Sequence, residues 1–195
     1  NGSPALTGIL SGNILQMEHN LGQEFEEVKK EILPAGRHMV LSASAVTDSE
    51  IRTDELKPVV WDEEKEGVLL KEGDLVVSFH HGELHFLPME KGEEYVAGEG
   101  VLGIRPKAFY TPWYLKLYLD GPVGRLFLDT MKAGEAYAFS LSRLLRLPIP
   151  SADREKMADI TETARASISH LAEAERNWRR VKRESVGMMM GHPMM

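Results

Sequence analysis

Three histidines fall within six residues in His80-His81-Gly82-Glu83-Leu84-His85. They follow directly on Leu75-Val76-Val77-Ser78-Phe79, an apolar run that predicts a strand. Neutral imidazoles so close together can ligate a metal ion, or can contact a ligand from a turn. They do not form the zinc-protease pattern, in which two histidines stand four apart on a helix beside a glutamate. Gly98, Gly100 and Gly103 lack the following helix that a phosphate loop requires, and no Gly-x-Ser-x-Gly elbow occurs. The chain has no cysteine, which excludes disulfides, thiolate metal sites and cysteine nucleophiles. The paired carboxylates Glu63-Glu64 and Glu93-Glu94 lie in turn-like, solvated segments. No nucleophile, base and oxyanion site assembles from these residues. The sequence is therefore expected to be non-catalytic, with no cofactor and no metal.

The elements that must position the histidines divide the chain in two. The first 150 residues hold 15 glycines and 9 prolines, with short apolar runs between turn signals. Gln23 to Leu33 is predicted as a helix from Phe25, Val28 and Ile32, with Glu26 four residues before Lys30. Strands are expected at His38–Val46, Val59–Trp61, Val68–Leu70, Leu75–Phe79, Glu83–Leu87, Tyr95–Ala97 and Val101–Arg105. Thr111 to Leu119 reads as a helix with Pro112 in its first turn. Tyr137 to Leu145 is ambiguous between strand and helix. The class is mixed α and β.

The grammar changes at Leu147-Pro148-Ile149-Pro150. From Ser151 to Val186 there is neither glycine nor proline, and the pattern is one long polar helix capped by Ser151, with Asp153 and Glu155 in its first turn. Met157, Ile160, Ala164, Leu171, Ala174, Trp178 and Val181 repeat at the spacing of a coiled-coil seam, with Ser167 interrupting. A helix of that length runs roughly 54 Å at 1.5 Å per residue. A 150-residue domain cannot cover it all, so it is expected to pair with another helix. The expected organisation is a domain over 1–150, a spacer or dimerisation helix over 151–186, and a disordered Met-rich tail over 187–195.

Net charge is −7, but its distribution is uneven. Residues 1–100 carry 8 Lys/Arg against 20 Asp/Glu; residues 101–195 carry 15 against 10. A local basic face is compatible with that second half. No apolar run approaches the roughly 18 residues of a membrane span. Asn1-Gly2-Ser3-Pro4 lacks the features of a signal peptide, and there is no initiator Met. The chain is expected in the cytoplasm, as a processed product or a piece of something longer.

The order of the motifs carries more. Leu70-Lys71-Glu72-Gly73-Asp74-Leu75 is followed by Gly103-Ile104-Arg105-Pro106, then Pro112-Trp113-Tyr114-Leu115, Gly134, and Leu144-Leu145-Arg146-Leu147-Pro148-Ile149-Pro150 before the long helix. Over roughly residues 38–186 this resembles a target recognition domain of the DNA specificity (S) subunits of type I restriction–modification systems. The resemblance implies an α+β recognition domain with a twisted, largely antiparallel sheet, followed by one long C-terminal helix. It also implies sequence-specific recognition of double-stranded DNA on behalf of a partner methyltransferase subunit. His80, His81, Arg105, Lys107, Lys132, Tyr137 and Arg143 are the candidate DNA contacts by residue type and position. The helix would pair with that of a second copy or a missing half, and would offer the methyltransferase subunit a surface.

This chain departs from the family pattern at three points. Glu135-Ala136-Tyr137 stands where the family has Thr-Gln after the glycine, and Ser151-Ala152-Asp153-Arg154 where Pro-Leu-x-x-Gln opens the spacer helix. There is one recognition domain and one helix where S subunits carry two of each. Two alternatives stay open. One is a protein-interaction or assembly domain of the same fold without DNA binding. The other is a metal enzyme using His80, His81 and His85, whose setting after Gly73-Asp74 and a strand is similar to a cupin.

Overall fold

The computed structural model describes residues 19–132 and 140–189. The chain enters at β1 (His19–Asn20), makes one helical turn, α1 (Leu21–Glu24), and continues directly into β2 (Phe25–Glu27) and β3 (Glu31–Leu33). The helix predicted for Gln23 to Leu33 is thus a turn and two strands. Its local propensity is overridden by tertiary pairing, because β2 adds to a sheet edge and buries Phe25 and Val28.

Then follow β4 (Gly36–Leu41), β5 (Lys57–Trp61), β6 (Lys65–Gly67), β7 (Leu69–Lys71), β8 (Leu75–His80), β9 (Glu83–Pro88), β10 (Glu94–Ala97) and β11 (Val101–Pro106). The strand expected over His38–Val46 stops at Leu41 and gives way to a 3-10 turn, Ala43–Ala45. Helices α2 (Pro112–Asp120), α3 (Pro122–Lys132) and α4 (Leu141–Leu144) come next. A short β12 (Pro148–Ile149) then leads to the terminal helix α5 (Arg154–Met189). None of these helices is long and apolar enough to cross a membrane.

Two four-stranded sheets have the orders β5-β4-β10-β7 and β2-β11-β8-β9, and every pairing is antiparallel except that of β10 with β4. The fold is α+β with a largely antiparallel sheet, as the resemblance implies. Alternation along the second sheet explains its place in the middle. Leu75 and Val77 of β8, Leu84 and Phe86 of β9 and Ile104 of β11 join a core with α2, α3 and α4. Val76, Leu87 and Val101 point the other way, into a core with Leu41 and Leu70 of the first sheet. Side chains on successive residues go to opposite faces, so the strands that supply both cores must be apolar on both. Gly103 lets the sheets approach: a Cβ there would lie 2.3 Å from Leu70 and 2.8 Å from Val28.

Two neighbouring ties hold the exit to the long helix. β12 pairs with β1, so the segment that precedes the long helix lies beside the first described strand. Leu21 N–H donates to Leu147 C=O at 2.8 Å and Gly22 N–H to Leu145 C=O at 2.7 Å. Tyr114 and Tyr118, one turn apart on α2, then donate their hydroxyls to the carbonyls of Pro150 (2.7 Å) and Pro148. Thr111 caps α2 by accepting from Tyr114 N–H, and its hydroxyl meets that of Thr161 on α5 at 2.6 Å. The cap of α5 itself is Asp153, whose carboxylate accepts from Lys156 N–H at 2.8 Å. The expected Ser151 stands two residues too early, because a cap must reach the third amide of the helix.

Burial pushes both tyrosine hydroxyls up to about 12, and that of Tyr114 is raised further by its neighbours Tyr110 and Tyr118. Because folding raises these values, the contribution is full below the ordinary value near 10 and is lost as pH climbs through about 12. Tyr118→Phe is expected to lower stability by about 1 kcal/mol through the lost hydrogen bond to Pro148. In urea unfolding the midpoint shifts and the slope does not, and the variant loses part of the alkaline fall in stability above pH of about 10.

Candidate nucleic-acid interface

The β8–β9 hairpin carries the histidine cluster. Its register, Phe79 opposite Leu84 and His80 opposite Glu83, leaves a two-residue turn of His81 and Gly82. Both have positive φ, +50° and +81°, which is the turn that matches the twist of paired strands. Gly82 adopts it without cost, whereas His81 is held there by the strand register. The His80 and His81 rings lie 3.9 Å apart at the exposed tip. His85 is not part of this pair. Its Nδ1 meets Asp48 at 2.9 Å, and its Nε2 lies 3.6 Å from Glu83. Among the described residues no three His, Asp or Glu side chains are grouped so that they could hold a metal ion.

Arg105 and Asp74, which stand in two of the motifs that carry the family resemblance, bind each other. Asp74 is wholly buried, and Arg105 donates Nε to one of its oxygens at 2.7 Å and Nη2 to the other at 2.8 Å. Lys71 N–H donates to the same carboxylate at 3.0 Å. Hydrogen bonding to Asp74 pushes the Arg105 guanidinium above its usual range, against the opposing effect of burial. A buried carboxylate needs such a partner, so the main work of Arg105 is to fasten the end of β11 to the turn before β8.

Lys107 and Arg143 lie at that same end. Lys107 donates Nζ to Gly22 C=O at 2.6 Å, and Gly22 in turn bonds Leu145, two residues beyond the exposed Arg143. His80 and His81 sit at the other end of β8, roughly 17–20 Å away at the usual rise of a strand. The candidate contacts therefore form two groups rather than one patch. The Lys132 side chain and Tyr137 lie outside the described residues.

The histidine tip faces the long helix. His80, His81 and His85 share an open cleft of about 480 Å³ with Glu175, Trp178 and Arg179 of α5. Sequence reading missed this meeting because the helix pattern does not reveal which face returns to the domain. That face runs through Met157, Ala164 and Ala172, all buried, with Ile160 and Ile168 half-buried. The expected seam thus divides. Met157 and Ala164 pack on the chain's own domain, while Leu171, Ala174, Trp178 and Val181 are exposed. Further polar ties hold α5 to the domain: Arg165 to Glu90 at 3.3 Å, Ser49 to Glu175, and Glu50 to both Arg176 (2.5 Å) and Arg179.

No protein-family model matches the sequence, and no curated protein matches it. Solved structures that are similar to this chain include the following two. One is a chain of a type I R-M system solved to explain its complex assembly and conformational transition; it has a TM-score of 0.59 and 15% identity, over 88% of this chain and 46% of that one. The other is the HsdS subunit from Thermoanaerobacter tengcongensis, with a TM-score of 0.56 and 18% identity, over 86% of this chain and 44% of that one. This chain has their fold. It spans less than half the length of either structure.

The Glu50 carboxylate gives the helix contact a pH dependence. Burial alone would raise it, but the hydrogen bonds and charges of Arg179 and Arg176 hold it below its usual value of 4.5. A carboxylate lowered by folding stabilises above its unfolded value, and that contribution is lost as pH falls through the folded one. Amide exchange around residues 176–179 is expected to speed up as pH drops below about 4.5, after correction for intrinsic rates. Glu50→Gln is expected to raise exchange at neutral pH and remove the acid-side change.

Proposed function

We propose that this chain is a DNA recognition module, a specificity subunit or half of one, of a type I restriction–modification system. It performs no chemistry itself and directs a partner methyltransferase subunit to its site. The observation that carries this reading is the fold shared with the HsdS subunit over 86% of the chain. Supporting it, the Asp74–Arg105 pair gives a physical reason for two of the motifs that led to the same family.

In this reading affinity comes from cations on phosphates, and sequence preference from side chains at base edges. His80 and His81 present imidazole donors and acceptors from a turn of fixed register, which suits them to bases. Lys107 and Arg143 suit phosphates at the other end of the sheet, while Lys132 ends α3 and Tyr137 stands between α3 and α4 in sequence. Arg105 acts through Asp74 as a positioning residue.

The exposed stripe of Leu171, Ala174, Trp178 and Val181 keeps coiled-coil spacing and is the surface for a second helix. The helix starts acidic, with Asp153, Glu155, Asp159 and Glu162, and ends basic, with Arg176, Arg179, Arg180, Lys182 and Arg183. Antiparallel pairing through this stripe would set two recognition domains at a fixed separation. The charge balance of the first 100 residues favours a second reading, an assembly domain of this fold that does not bind DNA.

Selection from a random duplex library at low salt, with the methyltransferase partner present, is expected to enrich one short sequence. Binding to unselected duplex is expected to weaken steeply with salt. Absence of any enriched sequence from a well-folded, paired protein selects the assembly reading. Sedimentation tests the stripe separately: Leu171→Lys with Trp178→Lys is expected to turn a dimer into a helical monomer. A wild-type chain that stays monomeric at high concentration overturns self-pairing.

A further inference from the structure

We infer that the distal third of the long helix, together with the loop at Arg52, forms a second nucleic-acid surface that grips backbone phosphates beside the recognised sequence. The inference rests on the DNA-recognition reading and adds a contact that no sequence motif indicated.

An open cleft of about 540 Å³ separates the 3-10 turn Thr53–Glu55 from α5. Its cations are Arg52, Arg176, Arg179, Lys182 and Arg183, and they exceed the carboxylates of Glu50, Asp54 and Glu55 by two. That excess is a reversal of sign in a chain of net charge −7. Residues 176–183 hold five cations and no carboxylate, the densest basic run of the sequence. Glu50 orients Arg176 and Arg179, and Glu55 binds Arg52 at 3.1 Å. Lys182 and Arg183 have no carboxylate partner among the described residues. Lys182 instead lies 5.2 Å above the Trp178 ring. The acids thus brace the guanidinium groups and leave the charge of the outer pair uncompensated.

Two features favour nucleic acid over an acidic protein. Four of the five cations are arginines, whose planar fork matches phosphate oxygens in pairs. The cleft also continues, through the shared Arg52 and Arg179, into the one lined by His80 and His81. A phosphate track that runs into side chains able to contact bases is what a nucleic-acid strand needs, and an acidic peptide has no use for the second part. A helix paired along the exposed stripe leaves the arginines of this cleft open. At about 100° per residue, Arg176, Arg179 and Arg183 lie on average roughly 150° around the axis from the centre of the stripe of Leu171, Ala174, Trp178 and Val181, whereas Lys182 lies roughly 60° from it.

The test is duplex binding by the 195-residue chain across a salt series, with Lys182→Gln and Arg183→Gln combined and with Lys65→Gln and Lys91→Gln as a charge-matched control. Each released phosphate contact lowers the slope of log affinity against log salt by about 0.9. The 182/183 variant is therefore expected to lose a slope of about 2 and bind all sequences more weakly, with its preferred sequence unchanged. The control is expected to match wild type. If the 182/183 variant also matches wild type while the enriched sequence persists, the phosphate surface is overturned and DNA recognition stands. If its duplex binding is unchanged but capture of a polyglutamate peptide is lost, the cleft belongs to an acidic protein and the inference falls. A wild-type chain that binds no duplex overturns both readings.

Discussion

The direction of the long helix depends on how the chain leaves the domain. Pro148 and Pro150 have no amide hydrogen, so this segment can be held only through its carbonyls and its neighbours. Tyr114 and Tyr118 take the carbonyls of Pro150 and Pro148, and β1 holds the other edge. The lever arm explains the reinforcement. Over a helix of roughly 54 Å, a tilt of about 10° at the junction moves the far end by roughly 9 Å. Two phenols one turn apart on α2 constrain position and direction together, which a single hydrogen bond could not do. The same helix begins at Thr111, whose hydroxyl reaches Thr161, so one element sets the exit and the first turns after it.

A second attachment, near residue 175, completes the constraint. Ser49 and Glu50 lie on the loop after the 3-10 turn, and that turn is tied to the central sheet by Ser78, whose buried hydroxyl donates to Ala43 C=O at 2.9 Å. The helix therefore leaves the domain on α2 and is caught again by a loop anchored to β8. The β8 strand also ends in the histidine tip. The tip and the loop that catches the helix are thus both anchored to this strand.

Much of the strand pattern was legible because it depends on local alternation and turn chemistry. Leu75 to Phe79, the glycine turn before it and the Thr111–Pro112 helix start all follow from neighbouring residues. The stretch from Gln23 to Leu33 was misread because its helical spacing is real but weaker than the gain from pairing β2 with β11. The long helix was legible as a helix, while its buried face was not. Heptad spacing near 3.5 and the straight-helix period of 3.6 drift apart by about 20° per heptad, so one stripe serves two surfaces along its length. Met157 and Ala164 went to the domain, whereas Leu171 and Trp178 did not. The candidate site was less legible still. Arg105 has the residue type of a DNA contact, yet its partner, Asp74, is 31 residues away, and only the sheet register brings them together.

Net charge conceals how the charge of this chain is distributed. The acidic excess belongs to the first 100 residues, while the basic run sits at the end of a helix that folds back beside them. Acidic side chains near a cationic cleft do two opposing things. Those that bond the guanidinium groups, such as Glu50, fix their geometry, so less entropy is lost when a phosphate arrives. Those elsewhere on the surface repel a polyanion and raise the cost of every wrong orientation. A strongly basic surface would bind nucleic acid without preference and compete with its own specific mode. Under the proposed reading, a mostly acidic body with a confined basic track would admit a duplex in few orientations, a restriction that suits a module reading one short sequence.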